Sequence, residues 1–415
     1  MNGLIIIISI IIFLIVIWLL VIVLLFARKK LIPGGKATIH INNDEKSVES
    51  DKGITLLNAL SGNQIFMSSA CGGGGTCGAC KGIVLSGGGT ILPTETSHIT
   101  RKMQEEQYRL FCQVKVKEDL DIEIPPEIFG VKKWQCEVIS NKNVATYIKE
   151  FIVKLPDNET LDFRSGGYIQ VDVPKCNIPF SSFDIADEYR QEWDKLNLFD
   201  LKMKNNESEV VRAYSMANCP AENNIITLNV RIATPPFDSK KKALKKVNPG
   251  ICSSYIFSLK SGDKITISGP YGEFFIKDTD NEIMFIGGGA GMAPMRSHIF
   301  DLFKTKQSKR KTTFWYGGRS LKELFYIDEF QQIEKDNDNF SFHVALSAPS
   351  PEDNWTGDTG FIHEVILEKY LSKHPFPEDI EYYICGPGLM LDAVLKMLDN
   401  LGVPKSMIFY DDFGN

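Results

Sequence analysis

Four cysteines carry the first chemical signal in this chain of 415 residues. Cys71, Cys77 and Cys80 follow the spacing C-x5-C-x2-C inside CGGGGTCGAC, and Cys112 comes next, at the head of a predicted strand. Four thiolates suit either Zn²⁺ or an iron–sulfur cluster. A zinc ribbon normally offers two C-x2-C knuckles, and here there is one, preceded by a long glycine loop. The glycines separate the two readings. Bridging sulfides carry negative charge and need backbone N–H groups close by, and a loop without Cβ atoms lets the backbone wrap them tightly. The expected product is a one-electron carrier.

A second set of residues lies further along. RAYSMAN, from Arg212 to Asn218, precedes PGICSSYIFSLKSGD, which turns at Pro249-Gly250 and opens a helix at Ser253 and Ser254. Helix starts bind phosphate through free N–H groups and the helix dipole. GPYGEFF follows, from Gly269 to Phe275. IGGGAGMAPMRS then reads G-x-G-x-x-P from Gly289, after an apolar strand and with Pro294 where a helix would begin. That is the setting of a nucleotide phosphate loop, with Gly287, Gly289 and Gly291 as its candidates. Finally ICGPG, from Ile384 to Gly388, ends another strand.

Elements to position these residues follow from patterning. From Ala37 come short strands, a helix over ITLLNAL with Thr55 as N-cap, and further strands at KGIVLSGG and LFCQVKVKEDLDIEI, up to Pro125-Pro126. This predicts a small, mostly β domain over 36–128. Over 130–277 the strands alternate and are punctuated by glycine, which predicts an antiparallel barrel or sandwich. A polar insert over about 176–209, containing EYRQEWDKLNLF, is expected to decorate its surface. Over 281–415 apolar strands alternate with amphipathic helices, which predicts a doubly wound parallel sheet. The fold class is therefore multidomain α+β.

The N-terminus adds a different element. From Leu4 to Phe26 no residue is charged, and all but Ser9 and Trp18 are Leu, Ile, Val or Phe. As one helix this run would be roughly 35 Å long, against about 30 Å of hydrocarbon to cross. A cleaved signal peptide needs a basic start and a shorter apolar run. Here Arg28, Lys29 and Lys30 come after the run instead. Residues 1–30 are thus expected to be a retained transmembrane anchor, with the remaining chain on the cytoplasmic side. A net charge of −6 argues against nucleic acid as a partner. Nine cysteines, three of them in one loop, fit a reducing compartment and metal ligation rather than a disulfide scaffold. The run KKKALKK, from Lys240 to Lys246, is read as a solvated loop, with attraction to anionic lipid or an acidic partner left open.

These motifs carry resemblances. The cysteine spacing and its strand–helix–strand setting resemble a β-grasp [2Fe–2S] ferredoxin domain with Cys71, Cys77, Cys80 and Cys112 as ligands. RAYS resembles the R-x-Y-[ST] signature of the ferredoxin–NADP reductase superfamily, and GPYGEFF its G-P-x-G-x-F strand end. That resemblance implies an antiparallel β-barrel as the form of a flavin domain holding FAD, with Arg212 on its pyrophosphate, Tyr214 on its ring, Ser215 near N5, and Gly250, Ser253 and Ser254 at the phosphate helix. It implies Cys385 and Gly386 at the nicotinamide and Phe413 shielding the flavin. Gly388 stands where many relatives have a second proline. In order and extent, the chain is similar to the family of F subunits in bacterial Na⁺-translocating NADH:quinone reductases. The similarity implies an inner-membrane NADH dehydrogenase that takes hydride onto FAD and passes single electrons through a 2Fe–2S cluster to partner subunits. A reductase component feeding an oxygenase shares the domain order, but usually lacks the anchor and has a four-residue first cysteine gap. A zinc-bearing membrane adaptor is the non-enzymatic alternative. The residues leave NADH against NADPH open, since Arg319 and Lys322 could meet a 2′-phosphate; the resemblance favours NADH.

Overall fold

A helix over residues 10–23 opens the structure, its apolar side chains all exposed. The computed structural model describes residues 10–23, 34–69, 71–205, 210–238, 240 and 242–413. Both ends of the expected anchor, residues 4–9 and 24–26, lie outside the described residues. Among the described residues no helix is long and apolar enough to cross a membrane. The chain divides into two compact units, Met1–Val131 and Lys132–Asn415.

The first unit is a mixed sheet of β1 (Lys36–Ile41), β2 (Lys46–Asp51), β3 (Lys81–Ser86), β4 (Tyr108–Leu110) and β5 (Leu120–Glu123), in the order β2-β1-β5-β3-β4. Strand period two sends Ala37, Ile39 and Ile41 to one face, and parallel pairing of β1 with β5 brings Leu120 and Ile122 beside them. The helix Leu56–Gly62 covers that face with Leu56, Leu57, Ala59 and Leu60. Thr55 caps it as expected, its Oγ1 accepting from the Asn58 N–H at 3.2 Å.

One buried ion pair fastens the loop between β3 and β4. Arg109 donates to Glu95 at 2.8 and 3.0 Å and to the carbonyls of Gly88, Gly89 and Thr90. Glu95 also accepts from the Leu110 and Leu92 N–H groups. Burial alone would raise the Glu95 carboxyl, but these donors outweigh it and hold it below its ordinary value.

The second unit contains two sheets. β6 (Lys132–Ala145), β7 (Ile148–Lys154), β8 (Tyr168–Val173), β11 (Val210–Ser215), β12 (Ile225–Arg231) and β15 (Lys264–Tyr271) pair antiparallel in the order β11-β8-β15-β6-β7-β12. The two edge strands meet at one isolated bridge, Met216–Leu228. The insert departs from expectation. Its strands β9 (Cys176–Pro179) and β10 (Lys202–Asn205) pair, and it contains the helix Asp187–Lys195. Rather than decorating the surface, it buries Phe180, Trp193, Leu198 and Met203 in the same core as the main sheet. The Trp193 indole donates to the Thr146 carbonyl at 2.8 Å. An aromatic set of this size buries too much apolar area to be left in water. The hairpin of β13 (Phe237–Asp238) and β14 (Ala243–Leu244) projects between β12 and the helix Ile251–Ser258.

The last sheet is parallel throughout: β16 (Ile283–Gly288), β17 (Thr312–Gly318), β18 (Phe340–Leu346), β19 (Asp358–Thr359), β20 (Glu381–Cys385) and β21 (Ile408–Asp411), ordered β19-β18-β17-β16-β20-β21. Alternate residues serve two cores. Ile283, Phe285 and Phe314 pack into one, and Met284, Ile286 and Trp315 into the other. Burial on both faces is why these strands read as continuous apolar runs.

Glu95→Ala should strip a buried guanidinium of its counter-ion and destabilise the first unit by about 3–5 kcal/mol. Hydrogen exchange of the β3 and β4 amides in urea would measure it. The folded carboxyl lies below its unfolded value of about 4.3, so the wild-type contribution is complete above that value. It should drain away as the pH falls through the folded value, and the variant should lack this acid dependence.

Candidate functional site

The cysteine loop gathers its four thiols as two pairs. Cys71 and Cys77 Sγ atoms lie 3.3 Å apart, and Cys80 hydrogen-bonds with Cys112. Within each pair the shared proton favours thiolate on one sulfur and thiol on the other: Cys71 and Cys112 are held down, and Cys77 and Cys80 pushed up. Among the described residues no three ligating side chains converge on a single point. Two pairs suit two metal atoms better than one tetrahedral Zn²⁺. Backbone donors converge as well. The Thr76 and Cys77 N–H groups reach Cys71, Ala79 N–H reaches Cys77 at 3.4 Å, and Gly75 N–H reaches Cys112. Gly75 is left-handed at φ +75, and a Cβ there would stand 2.7 Å from the Gln113 amide. Thiolates ringed by N–H donors are the donor set a sulfide-bridged cluster requires, so these residues fit the 2Fe–2S group.

The second site is a cleft of about 780 Å³ in the second unit. One wall is Arg212, Tyr214, Ser215, Gly250 and Ser253; the other is Gly288–Gly291, Arg319 and Gly386. Arg212 is exposed, so most of its fork is available to a phosphate. The helix Ile251–Ser258 begins at Gly250, and its first N–H groups have no partner within the helix. The Ser253 and Ser254 hydroxyls both donate to the Gly250 carbonyl, at 3.3 and 2.7 Å. They therefore brace that turn. Tyr214 is half-buried; burial drives its phenol well above the ordinary value, and its hydroxyl meets the Cys252 thiol. A ring pinned at its hydroxyl is a fixed platform for a flat heterocycle.

At the floor, Ser215 Oγ donates to Asp411 Oδ2 at 2.8 Å. The pairing of Cys385 with Asp411 between β20 and β21 brings that carboxylate in. Burial raises the Asp411 carboxyl above its ordinary value, with the Ser215 hydroxyl acting against that shift and the Asp412 charge adding to it. Opposite, Gly291 crosses so close to β20 that a Cβ would lie 2.1 Å from the Cys385 carbonyl oxygen. The helix Met292–Phe300 starts there, two residues before the expected Pro294.

Of the residues chosen from sequence, Arg212, Tyr214, Ser215, Gly250, Ser253, Gly289, Gly291, Gly386 and Phe413 line this cleft. Three do not. Ser254 is fully buried behind Gly250, Gly287 lies under Met295 and Phe314, and Cys385 is enclosed at the end of β20. Burial, with Asp411 and Asp412 nearby, keeps the Cys385 thiol neutral. Lys322 turns away, its Nζ on the Glu188 carbonyl at 3.2 Å and beside Glu192. Asp411 has no motif in the sequence; the acidic pair in FYDDF is its only trace. Three further hydrogen bonds join the walls. Asn229 donates to the Tyr326 hydroxyl at 2.9 Å, which donates to Glu150, and Thr146 donates to Glu323.

Comparison with known proteins agrees with this division. Residues 39–117 match the 2Fe-2S iron-sulfur cluster binding domain family. Residues 197–276 match the oxidoreductase FAD-binding domain, and residues 285–396 the oxidoreductase NAD-binding domain. The F subunit of the Na(+)-translocating NADH-quinone reductase of Serratia proteamaculans is 59% identical over 390 residues, 94% of each chain. That of Klebsiella pneumoniae is 58% identical over 389 residues, again 94% of each. The crystal structure of an Amycolatopsis cytochrome P450 reductase shares the fold at TM-score 0.62 and 20% identity, over 91% of this chain and 98% of that one. A ferredoxin reductase in carbazole 1,9a-dioxygenase does so at 0.57 and 20%, over 92% and 99%.

Arg212→Leu should weaken flavin retention on the order of tenfold to a hundredfold, the cost of losing charge-assisted bonds to a diphosphate. The flavin-to-protein absorbance ratio after dialysis checks this; an unchanged ratio would remove Arg212 from the site.

Proposed function

The chain belongs to the family of F subunits of the Na(+)-translocating NADH-quinone reductases, and from that premise we infer that it is the electron-input component of such a complex, drawing two electrons from NADH and delivering them singly to its partner subunits. Bound FAD supplies two-electron acceptance with one-electron release, and a bound 2Fe–2S cluster supplies single-electron carriage. The observation that carries the reading is that one chain holds both a twice-paired thiol loop and a cleft walled by the helix start at Gly250 and the glycine turn after β16.

Each residue then has a task. Cys71, Cys77, Cys80 and Cys112 hold the cluster. Arg212 and the free N–H groups after Gly250 hold the flavin diphosphate, with Ser253 and Ser254 bracing the turn. Tyr214 and Phe413 flank the flavin ring. Ser215, oriented by Asp411, presents its hydroxyl to the hydride-accepting edge and gives a proton a route to a raised carboxyl. Gly289, Gly291 and Gly386 let the nucleotide diphosphate approach the backbone, while Gly287 permits the packing of Met295 beneath them. Cys385 sets the wall at the nicotinamide as a neutral thiol. With Lys322 engaged elsewhere, Arg319 is left as the cleft's candidate for a 2′-phosphate; kinship with the NADH-quinone reductase F subunits is what favours NADH.

Residues 4–26 serve as a single membrane-spanning anchor in the bacterial inner membrane, with the soluble units on the cytoplasmic side. The apolar, exposed helix over 10–23 and the basic Arg28–Lys30 support this. The six-stranded antiparallel sheet serves as the flavin barrel. Quinone reduction and sodium movement fall to other subunits.

Anaerobic NADH titration of the full chain should reduce both groups, with an EPR signal rising from the cluster. Cys77→Ala should abolish that signal yet keep NADH-to-ferricyanide turnover, because hydride transfer precedes the cluster. A silent EPR spectrum in flavin- and iron-replete protein would overturn the electron order. Equal turnover with NADPH would overturn the substrate.

A further inference from the structure

The run KKKALKK has no task in the cleft. Five lysines occupy seven positions in a chain whose net charge is −6, so positive charge is concentrated here against the general trend. The structure places the described part of the run on and after the hairpin of β13 and β14. The Asp238 carboxylate accepts from the Lys240 N–H at 3.0 Å and so shapes the turn. Lys240, Lys242, Lys245 and Lys246 are all exposed, and among the described residues none forms an ion pair. Elsewhere Lys36, Lys132, Lys264 and Lys369 each find a carboxylate. Like charges this close repel one another and favour whatever anion neutralises several at once.

The sequence also says which anion is within reach. Residues 27–35 alone separate the apolar run from β1, a distance of at most about 32 Å if fully extended. The tether bounds the distance of the first unit alone, and anionic headgroups are the polyanion that any chain so anchored lives beside. A single hydrophobic anchor combined with a polybasic patch is a recurrent way of holding a domain against an anionic leaflet.

We propose that the β13–β14 hairpin docks on anionic lipid headgroups, through Lys240, Lys242, Lys245 and Lys246, and thereby limits the motion of the second unit beneath the membrane. This rests on the anchor reading above. The attraction acts only within a Debye length, about 8 Å at physiological salt, so it is short-ranged and salt-sensitive.

Full-length holoprotein should be reconstituted into vesicles of neutral phosphatidylcholine, and of the same lipid with 30% phosphatidylglycerol (roughly the anionic load of a basic-patch assay). Hydrogen exchange is then followed over residues 237–247. Anionic lipid should slow exchange there severalfold, and high salt should reverse it. Lys242→Gln should remove part of that protection, and the combined Lys240→Gln, Lys242→Gln, Lys245→Gln and Lys246→Gln variant should abolish it. NADH-to-ferricyanide turnover serves as the check on folding. Protein that floats with both vesicles but shows equal exchange in each would overturn the docking while sparing the anchor. Failure to float with either would bring down the anchor, and the docking with it. Protection that appears in neutral lipid only when partner subunits are added would assign the lysines to a protein surface and overturn the proposal. A rise in the KM for NADH in the combined variant, without lipid-dependent exchange in the wild type, would assign them to the nucleotide and do the same.

Discussion

A 2.8 Å hydrogen bond joins Ser215 to Asp411, residues almost two hundred positions apart. That bond ties together the two sheets whose ends wall the cleft. Ser215 ends an antiparallel strand, and Asp411 ends the last strand of a parallel sheet that begins only at Ile283. The two must meet with sub-ångström accuracy, and a single side-chain contact cannot enforce that. Backbone registers do. The edge bridge Met216–Leu228 fixes the first, and the pairing of Cys385 with Asp411 fixes the second. The chain Asn229–Tyr326–Glu150 and the Thr146–Glu323 bond then tie the two sheets at further points. Several modest bonds, each worth about 1 kcal/mol, are enough because the cores on either side are stiff.

The cysteine loop solves a different problem, since it must aim polar donors at negative charge without burying them unpaired. Left-handed glycines turn successive N–H groups toward the sulfurs, and neighbours fill the space their missing Cβ atoms leave. Gln113 stands where a side chain on Gly75 would go. The loop is therefore packed from outside as well as curled from within, and the Glu95–Arg109 pair secures its flank through Leu110, two residues from Cys112.

What can be read in advance is whatever depends on local spacing. The loop cysteines Cys71, Cys77 and Cys80, the Thr55 cap, the helix start at Gly250 and the glycine turn after β16 are all short-range patterns, and neighbours in sequence remain neighbours in space. The departures share one cause. Ser254 and Gly287 belong to the right motifs, but they face away from the cleft, and only the orientation of a helix or strand decides that. Trp193 reads as surface because its helix is mostly charged; its burial depends on a hollow formed by Phe183, Phe257 and the β6–β7 turn. Asp411 has no motif of its own, since its place follows from how β21 lies against β20.

The spacing of the cysteines also bears on how the protein is made. Cys71, Cys77 and Cys80 emerge from the ribosome almost together, whereas Cys112 follows only after β3 and the segment that Arg109 must fasten. A nascent chain stopped short of that point owns one finished thiol pair and half of another. All four thiols therefore stand together only after β4 has been translated and has paired with β3. Completion of the thiol set is thus coupled by topology to completion of the sheet that carries it.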